Sequence, residues 1–237
     1  MTTPALRLVG LDAYYGLAQA LFGLDLEVPK GSVTVLLGRN GAGKSTTMKA
    51  IMGLVKLGRG SIEVDGRAVN GWPSYRVNHA GVGYVPEERR VFAGLSVEEN
   101  LIVGTHYPVA SVARWTHERV FDLFPALAGL RERLAGQLSG GEQQMLTIAR
   151  TLMGNPGIIL LDEPSEGLAP VILQQIAATV KTLSAEGMTV LLSEQNVRFA
   201  TYVADRAAVI ERGKVLAAGP MDEIASNARV RDAYLTP

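Results

Sequence analysis

The run Gly38-Arg39-Asn40-Gly41-Ala42-Gly43-Lys44-Ser45 constrains this chain more than any other, because it fits G-x-x-x-x-G-K-[ST] at every fixed position. The β-branched and apolar stretch Ser32–Leu37 before it reads as a buried strand. Lys44–Leu54 after it reads as a helix, with Met48, Ile51, Met52 and Val55 in helical register. Strand, glycine turn and helix in that order make a phosphate cradle. The glycines let successive N–H groups converge on phosphate oxygens, and the helix N-terminus adds its dipole. Lys44 is then expected to reach the β- and γ-phosphates of a nucleotide, and the Ser45 hydroxyl to ligate Mg²⁺. Gly38, Arg39, Asn40, Gly41, Ala42, Gly43, Lys44, Ser45 and Thr46 are the candidate nucleotide-binding residues. On its own the pattern implies nucleoside-triphosphate binding and leaves the work done with it open.

The rest of the chain fits an α/β class. Strand-like runs recur at Leu24–Val28, Ser61–Val64, Gly81–Val85, Ile158–Leu161, Thr189–Leu192 and Ala207–Ile210, each bounded by Gly, Pro or polar residues. VIERGKVLAAG predicts an antiparallel hairpin turning near Arg212–Gly213. Pro170–Glu186 predicts a helix that opens on a proline and stops before Gly187. Between roughly Ser96 and Met153 strand signal almost vanishes, and Ser96 with Glu99 forms a capping-box pattern. These alternations imply a largely parallel sheet with helices packed on it, and a helical lobe inserted between sheet elements. The domain reading is one unit. Segments 1–95 and 154–220 form an α/β core with an antiparallel part, 96–153 a helical insertion, and 221–237 a helical tail.

Composition removes several alternatives. There is no cysteine, which excludes disulfides and thiolate metal sites, and His79, His106 and His117 match no ligand spacing. Lys+Arg and Asp+Glu are both 23, so no net field favours nucleic acid, and no nucleic-acid partner is expected. The N-terminus lacks the basic and apolar regions of a signal peptide. No apolar run approaches the ~20 residues that span a bilayer, so any membrane role is expected to run through a partner.

Two further motifs carry chemistry. Ile158–Leu161 leads into Asp162-Glu163, an apolar strand ending in two acids. Asp162 suits Mg²⁺, which prefers carboxylate oxygens and retained waters. Glu163 suits polarisation of an attacking water in line with a γ-phosphate. Leu138-Ser139-Gly140-Gly141-Glu142 precedes an apolar-periodic helix, and Ser139 with Glu142 again has capping-box spacing. A helix N-terminus there is a second end suited to an anion. Spacing alone favours an ordinary capped helix; read instead as an anion site, a second such end would call for a second copy of the cradle, as head-to-tail dimerisation would supply.

GRNGAGKST, LSGGEQQ and LLDEP in this order closely resemble the motif set of the ABC ATPases, over nearly the whole chain. The resemblance implies a P-loop NTPase (RecA-like) core with an antiparallel β-subdomain and an inserted helical subdomain. It implies that Ser139, Gly140, Gly141 and Glu142 clamp the γ-phosphate held by a second ATP-binding subunit. It also implies that an aromatic residue near the N-terminus stacks on adenine. Tyr15 is favoured for this over its neighbour Tyr14.

Two positions depart from the usual family pattern: Glu87 stands where most members have Gln, and Gln195 where most have a switch His. Glu87 is expected among the metal residues with Ser45 and Asp162. Gln195 can hydrogen-bond a γ-phosphate oxygen but cannot take up a proton near neutrality. VPEERRVFAGLSVEENL, LLDEPSEGLAPVI, LLSEQN and the ending Arg231–Leu235 resemble one of the two ATP-binding subunits of branched-chain amino-acid importers. That similarity implies ATP and Mg²⁺ as ligands and a homo- or heterodimer that drives integral membrane permease subunits. It further implies a periplasmic substrate-binding protein as an indirect partner, and a peripheral place on the cytoplasmic face of the inner membrane. Glu87–Phe92 lies where relatives touch their membrane subunits. Glu166–Ala169 lies where relatives cross the dimer, with Ala169 in place of a common Asp. Importers of urea or short amides have similar cassettes and remain an alternative. A soluble ABC ATPase lacks its usual coiled-coil insertion or fused second cassette here, and a P-loop kinase would leave LSGGEQQ unexplained.

Overall fold

The computed structural model describes residues 3–105 and 115–227. His106 and the Arg231–Leu235 ending lie outside the described residues. The chain opens with β1 (Leu6–Tyr15) and β2 (Ala18–Val28), then β3 (Val33–Leu37) runs into α1 (Lys44–Ile51). β4 (Lys56–Leu57), β5 (Ser61–Val64), β6 (Arg67–Ala68), α2 (Ser74–His79) and β7 (Val82–Val85) follow. Next come α3 (Val97–Gly104), α4 (His117–Leu123), α5 (Pro125–Ala128) and α6 (Gly140–Met153). β8 (Ile158–Asp162), α7 (Pro170–Ala185), β9 (Thr189–Glu194) and α8 (Val197–Val203) return to the sheet. β10 (Arg206–Glu211), β11 (Lys214–Pro220) and α9 (Met221–Ser226) end it.

Two sheets divide these strands. The larger has the order β11-β10-β3-β9-β8-β7 and is parallel except at its β11 edge. Every residue of β3, β8 and β9 is buried, as strands covered on both faces must be. Their side chains alternate between two cores: Val35 and Leu37 pack on one side of the sheet with α6 and α7 residues, and Leu36 on the other with Met48 and Ile51 of α1. The antiparallel sheet has the order β2-β1-β5-β6, with β4 also on β1.

The first strand is where periodicity alone falls short. β2 begins at Ala18, not near Leu24, and pairs with a strand, β1, that has no clean alternation. Register shifts at Leu8/Leu11, Leu11/Ala13 and Ala13/Tyr14 explain this, since each extra residue flips the pattern to the other face. Between β7 and β8 the described residues form helices and one isolated bridge, Ser96 to Leu134. β3, β8 and β9 are neighbours and parallel, so their carboxyl ends converge on one rim. That is where open α/β sheets carry their sites.

Candidate functional site

The phosphate loop leaves β3 and enters α1 through Gly43, whose φ of 115° is a conformation that residues with a Cβ rarely adopt. A Cβ there would also stand 2.9 Å from the Leu21 side chain of β2. The loop is braced from the β10–β11 turn, where Gly213 N–H donates to the Ala42 carbonyl at 2.8 Å. Lys44 is buried at the first turn of α1. Its ammonium donates to the carbonyls of Gly38 (2.9 Å) and Arg39 (3.3 Å) and pairs with Glu163 Oε1 at 3.1 Å.

The acids arrive from β8. Asp162 is 1% exposed and accepts three hydroxyl hydrogen bonds: Ser45 (2.9 Å) and Ser193 (2.7 Å) on Oδ1, Tyr84 (3.1 Å) on Oδ2. Burial and the Asp162 carboxylate push the Tyr84 phenol far above its ordinary range, so it stays a donor. Glu163 adopts a φ of 46°, in the left-handed region that disfavours a residue with a side chain. The Ser193 hydroxyl, which accepts the Glu163 N–H at 2.9 Å, helps hold that turn. The turn presents Glu163 Oε1 to Lys44 and Oε2 to the amide of Gln195, which donates at 2.6 Å. The resemblance gives this amide a phosphate oxygen to face; in this structure it donates to the Glu163 carboxylate.

Asn40, Gly41, Gly43, Lys44, Ser45 and Thr46 line one cavity of about 280 Å³, with Glu87, Glu163 and Glu166 across it. The outer face of the loop, at Arg39 and Ala42, borders a second cavity of about 220 Å³ with Ile210 and Arg212. Burial, then the carboxylates of Glu166, Glu163 and Asp162, hold the Glu87 acid above its ordinary range. A hard divalent cation fits this donor set. It offers a hydroxyl and carboxylates crowded enough to be relieved by positive charge, and no group of three or more His, Cys, Asp or Glu among the described residues forms a cage of its own.

Tyr15 and the serine–glycine element do not line that cavity. Tyr15 stands at the β1–β2 turn and is 47% exposed, and Ala20 and Leu21 farther along β2 lie against Gly43. Tyr14 is the packed neighbour, its ring so close to Gly58 that a Cβ there would lie 2.5 Å from it. α6 starts after Ser139 with both arms of the capping box: Glu142 N–H donates to Ser139 Oγ (3.3 Å), and Ser139 N–H to Glu142 Oε2 (2.7 Å). Arg89 lies against Gly140 and donates to the Glu166 carbonyl at 2.9 Å, tying the start of α6 to the segment after Glu163.

Sequence reasoning passed over Ser193, Tyr84, Ser165 and Glu194. Glu194 is 1% exposed, and its carboxylate accepts from Ser165 N–H (3.1 Å), Ser165 Oγ (2.8 Å), Gln195 N–H (3.2 Å) and Asn196 N–H (3.2 Å). Burial, aided by the Glu163 carboxylate, pushes its pKa up to about 7 against the pull of the Ser165 and Asn196 donors. The signal was a polar tail, Ser193-Glu194, on an otherwise apolar strand.

Residues 21–166 match the family model described as ABC transporter. The chain belongs to the ABC transporter family. As an ABC cassette it is an ATPase subunit, and no helix of the described residues is long and apolar enough to cross a membrane. It is 44% identical to the high-affinity branched-chain amino acid transport ATP-binding protein BraG of Pseudomonas aeruginosa, over 95% of this chain and 97% of that one. It is 35% identical to the probable branched-chain amino acid transport ATP-binding protein LivF of Archaeoglobus fulgidus, over 92% and 93%. Among solved structures it is similar to the ADP conformation of MJ1267, an ATP-binding cassette of an ABC transporter. The TM-score is 0.83 at 28% identity, covering 100% of both chains.

Proposed function

We propose that this ABC ATPase drives uptake of branched-chain amino acids, as one of two cassettes closing head to tail over ATP beneath a separate membrane permease. The observation that supports the hydrolytic part is the convergence on one rim of two contact sets, Lys44 and Gln195 on Glu163, and Ser45 on Asp162. The substrate class is supported by end-to-end similarity to BraG and LivF.

In this reading a γ-phosphate takes the Lys44 ammonium from Glu163 Oε1, and that oxygen then accepts the hydrogen bond of the attacking water. Gln195 keeps hold of Oε2 and so fixes the carboxylate during the step. Ser45, Asp162 and Glu87 hold Mg²⁺, which when bound neutralises charge on the β- and γ-phosphates. Gly38–Thr46 cradle the phosphates, and Tyr15, exposed at the β1–β2 turn, stacks on adenine, a contact of about 1 kcal/mol. Ser139, Gly140, Gly141 and Glu142 complete the site of the second subunit. The helical segment 96–153 carries them, with 1–95 and 154–220 as the nucleotide core and 221–237 as a tail. The chain then sits peripherally on the cytoplasmic face of the inner membrane, served indirectly by a periplasmic binding protein.

Glu163→Gln tests the chemistry. It should lower kcat by about 100-fold or more while ATP binding persists, and a dimer should accumulate on sizing with ATP, alone or with the companion cassette. Normal turnover by this variant would overturn the role of Glu163. Uptake of labelled leucine, compared with labelled urea, in cells lacking the gene tests the substrate. Loss confined to urea would refute the assignment.

A further inference from the structure

Two loops must keep fixed positions for the reaction as read above: the turn carrying Glu163 and the switch segment carrying Gln195. They leave the ends of different strands, β8 and β9, and the Gln195–Glu163 hydrogen bond joins them at the exposed lip. Beneath that lip lies Glu194. Its Oε1 accepts the Ser165 N–H, and its Oε2 accepts the Ser165 hydroxyl and the N–H groups of Gln195 and Asn196. Four donors from two loops thus meet on one carboxyl group, three on Oε2 and one on Oε1, and a lone pair of Oε1 stays open to a proton. Ser165 is two residues past Glu163, and Gln195 is the next residue after Glu194. Glu194 is also paired in register with Leu37, the residue before the phosphate loop. No contact from Glu194 to the 280 Å³ cavity is needed for it to matter, and it is not among the residues that line it.

We propose that Glu194 is a positioning residue for ATP hydrolysis: a buried carboxylate that clamps the Glu163 turn to the Gln195 switch, so that the two act as one unit. A side chain serving only to fill the strand end would have no reason to collect donors from both loops. An apolar residue would leave three backbone N–H groups and a hydroxyl without this acceptor. The inference rests on the reading of Glu163 and Gln195 given above, and a shift of one ångström in such groups suffices for a rate loss of about 100-fold.

The test measures steady-state ATP hydrolysis and thermal melting for Glu194→Ala, Glu194→Gln, Ser165→Ala, the Glu194→Ala/Ser165→Ala double variant and Glu163→Gln. Glu194→Ala should lower kcat by about 30-fold with KM for ATP within about threefold, and Glu194→Gln, which keeps one oxygen, by about tenfold. Ser165→Ala should cost about fivefold, and the double variant no more than Glu194→Ala alone, because both remove parts of one clamp. The inference is overturned if Glu194→Ala turns over within about twofold of the parent, if KM rises as far as kcat falls, or if the two losses multiply. Should Glu194→Ala fail to fold, Glu194→Gln with Ser165→Ala decides by the same cycle. Full activity in Glu163→Gln would instead remove the reading on which the clamp rests, whatever Glu194 does.

Discussion

Two helices of this chain begin with glycine-rich turns, and they treat their free N–H groups in opposite ways. α1 starts on Gly43 in a left-handed conformation with no side-chain cap, and lysine, serine and two acids of the same chain gather in front of it. α6 starts on Ser139 with a complete capping box, and of its first residues none lines the phosphate cavity. The first turns of any helix leave donors unsatisfied. Where a chain leaves them uncapped and surrounds them with chemistry, the site is built within the chain. Where it caps them with its own serine and glutamate, as at α6, the end is satisfied within the chain, and in the function proposed above its work lies with a second copy.

Mixing variants is the hardest test of that contrast. Lys44→Ala should reduce hydrolysis by about 1,000-fold through loss of the phosphate contact, and Ser139→Ala by about 100-fold. Ser139→Ala should also lower helix stability by about 1 kcal/mol while ATP binding to the monomer stays close to normal. Mixed in equal amounts without a companion cassette, the two inactive proteins should regain measurable turnover. One of the two sites in each mixed dimer then joins an intact loop to an intact serine–glycine element. Absence of recovery, with mixed dimers present on sizing, would show that α6 serves its own chain.

The end built within the chain carries a buried acid, and that has a pH signature. Glu194 titrates at about 7 in the folded protein against an ordinary 4.5, so the native state binds this proton more tightly than the unfolded chain does. The stability it contributes is full below about pH 4.5 and is lost as pH rises through about 7, by roughly 3 kcal/mol at most. Urea unfolding at pH 5 and pH 8 should show that loss in the parent and much less of it in Glu194→Gln. An equal loss in both would assign the pH dependence to other groups.

What could be read from sequence follows the same division. The phosphate loop and the Asp162-Glu163 pair are local: each is a short pattern whose backbone geometry follows from glycines or from the end of a buried strand. The contacts between them are not local. Nothing in the spacing says that Lys44 pairs with Glu163, or that Gln195 holds the same carboxylate, because strand order brings them together. Glu194 lies beyond the apolar run Thr189–Leu192 that the sequence marks, and its burial, with the Ser165 hydroxyl on its carboxyl group, is seen only in the folded chain. Tyr14 packs on Gly58 while Tyr15 stands exposed, across a register shift at Ala13/Tyr14 that no alternation pattern announces.

Gln195 gives the smallest effect and the finest test of the site's internal bracing. Its amide donates to Glu163 Oε2 at 2.6 Å, a hydrogen bond to a charged group, of a kind worth about 1.5–3 kcal/mol when buried and less at an open lip. Gln195→Ala should therefore lower kcat by about tenfold and leave KM for ATP nearly unchanged, because Lys44 and the loop still bind the phosphates. Combined with Glu163→Gln it should add almost nothing, since the carboxylate it steadies is already gone. If Gln195→Ala instead raises KM with kcat intact, the amide acts on bound nucleotide, as its place in the sequence first suggested. The bracing of the Glu163 turn would then fall to Ser193 and to the Ser165–Glu194 contacts.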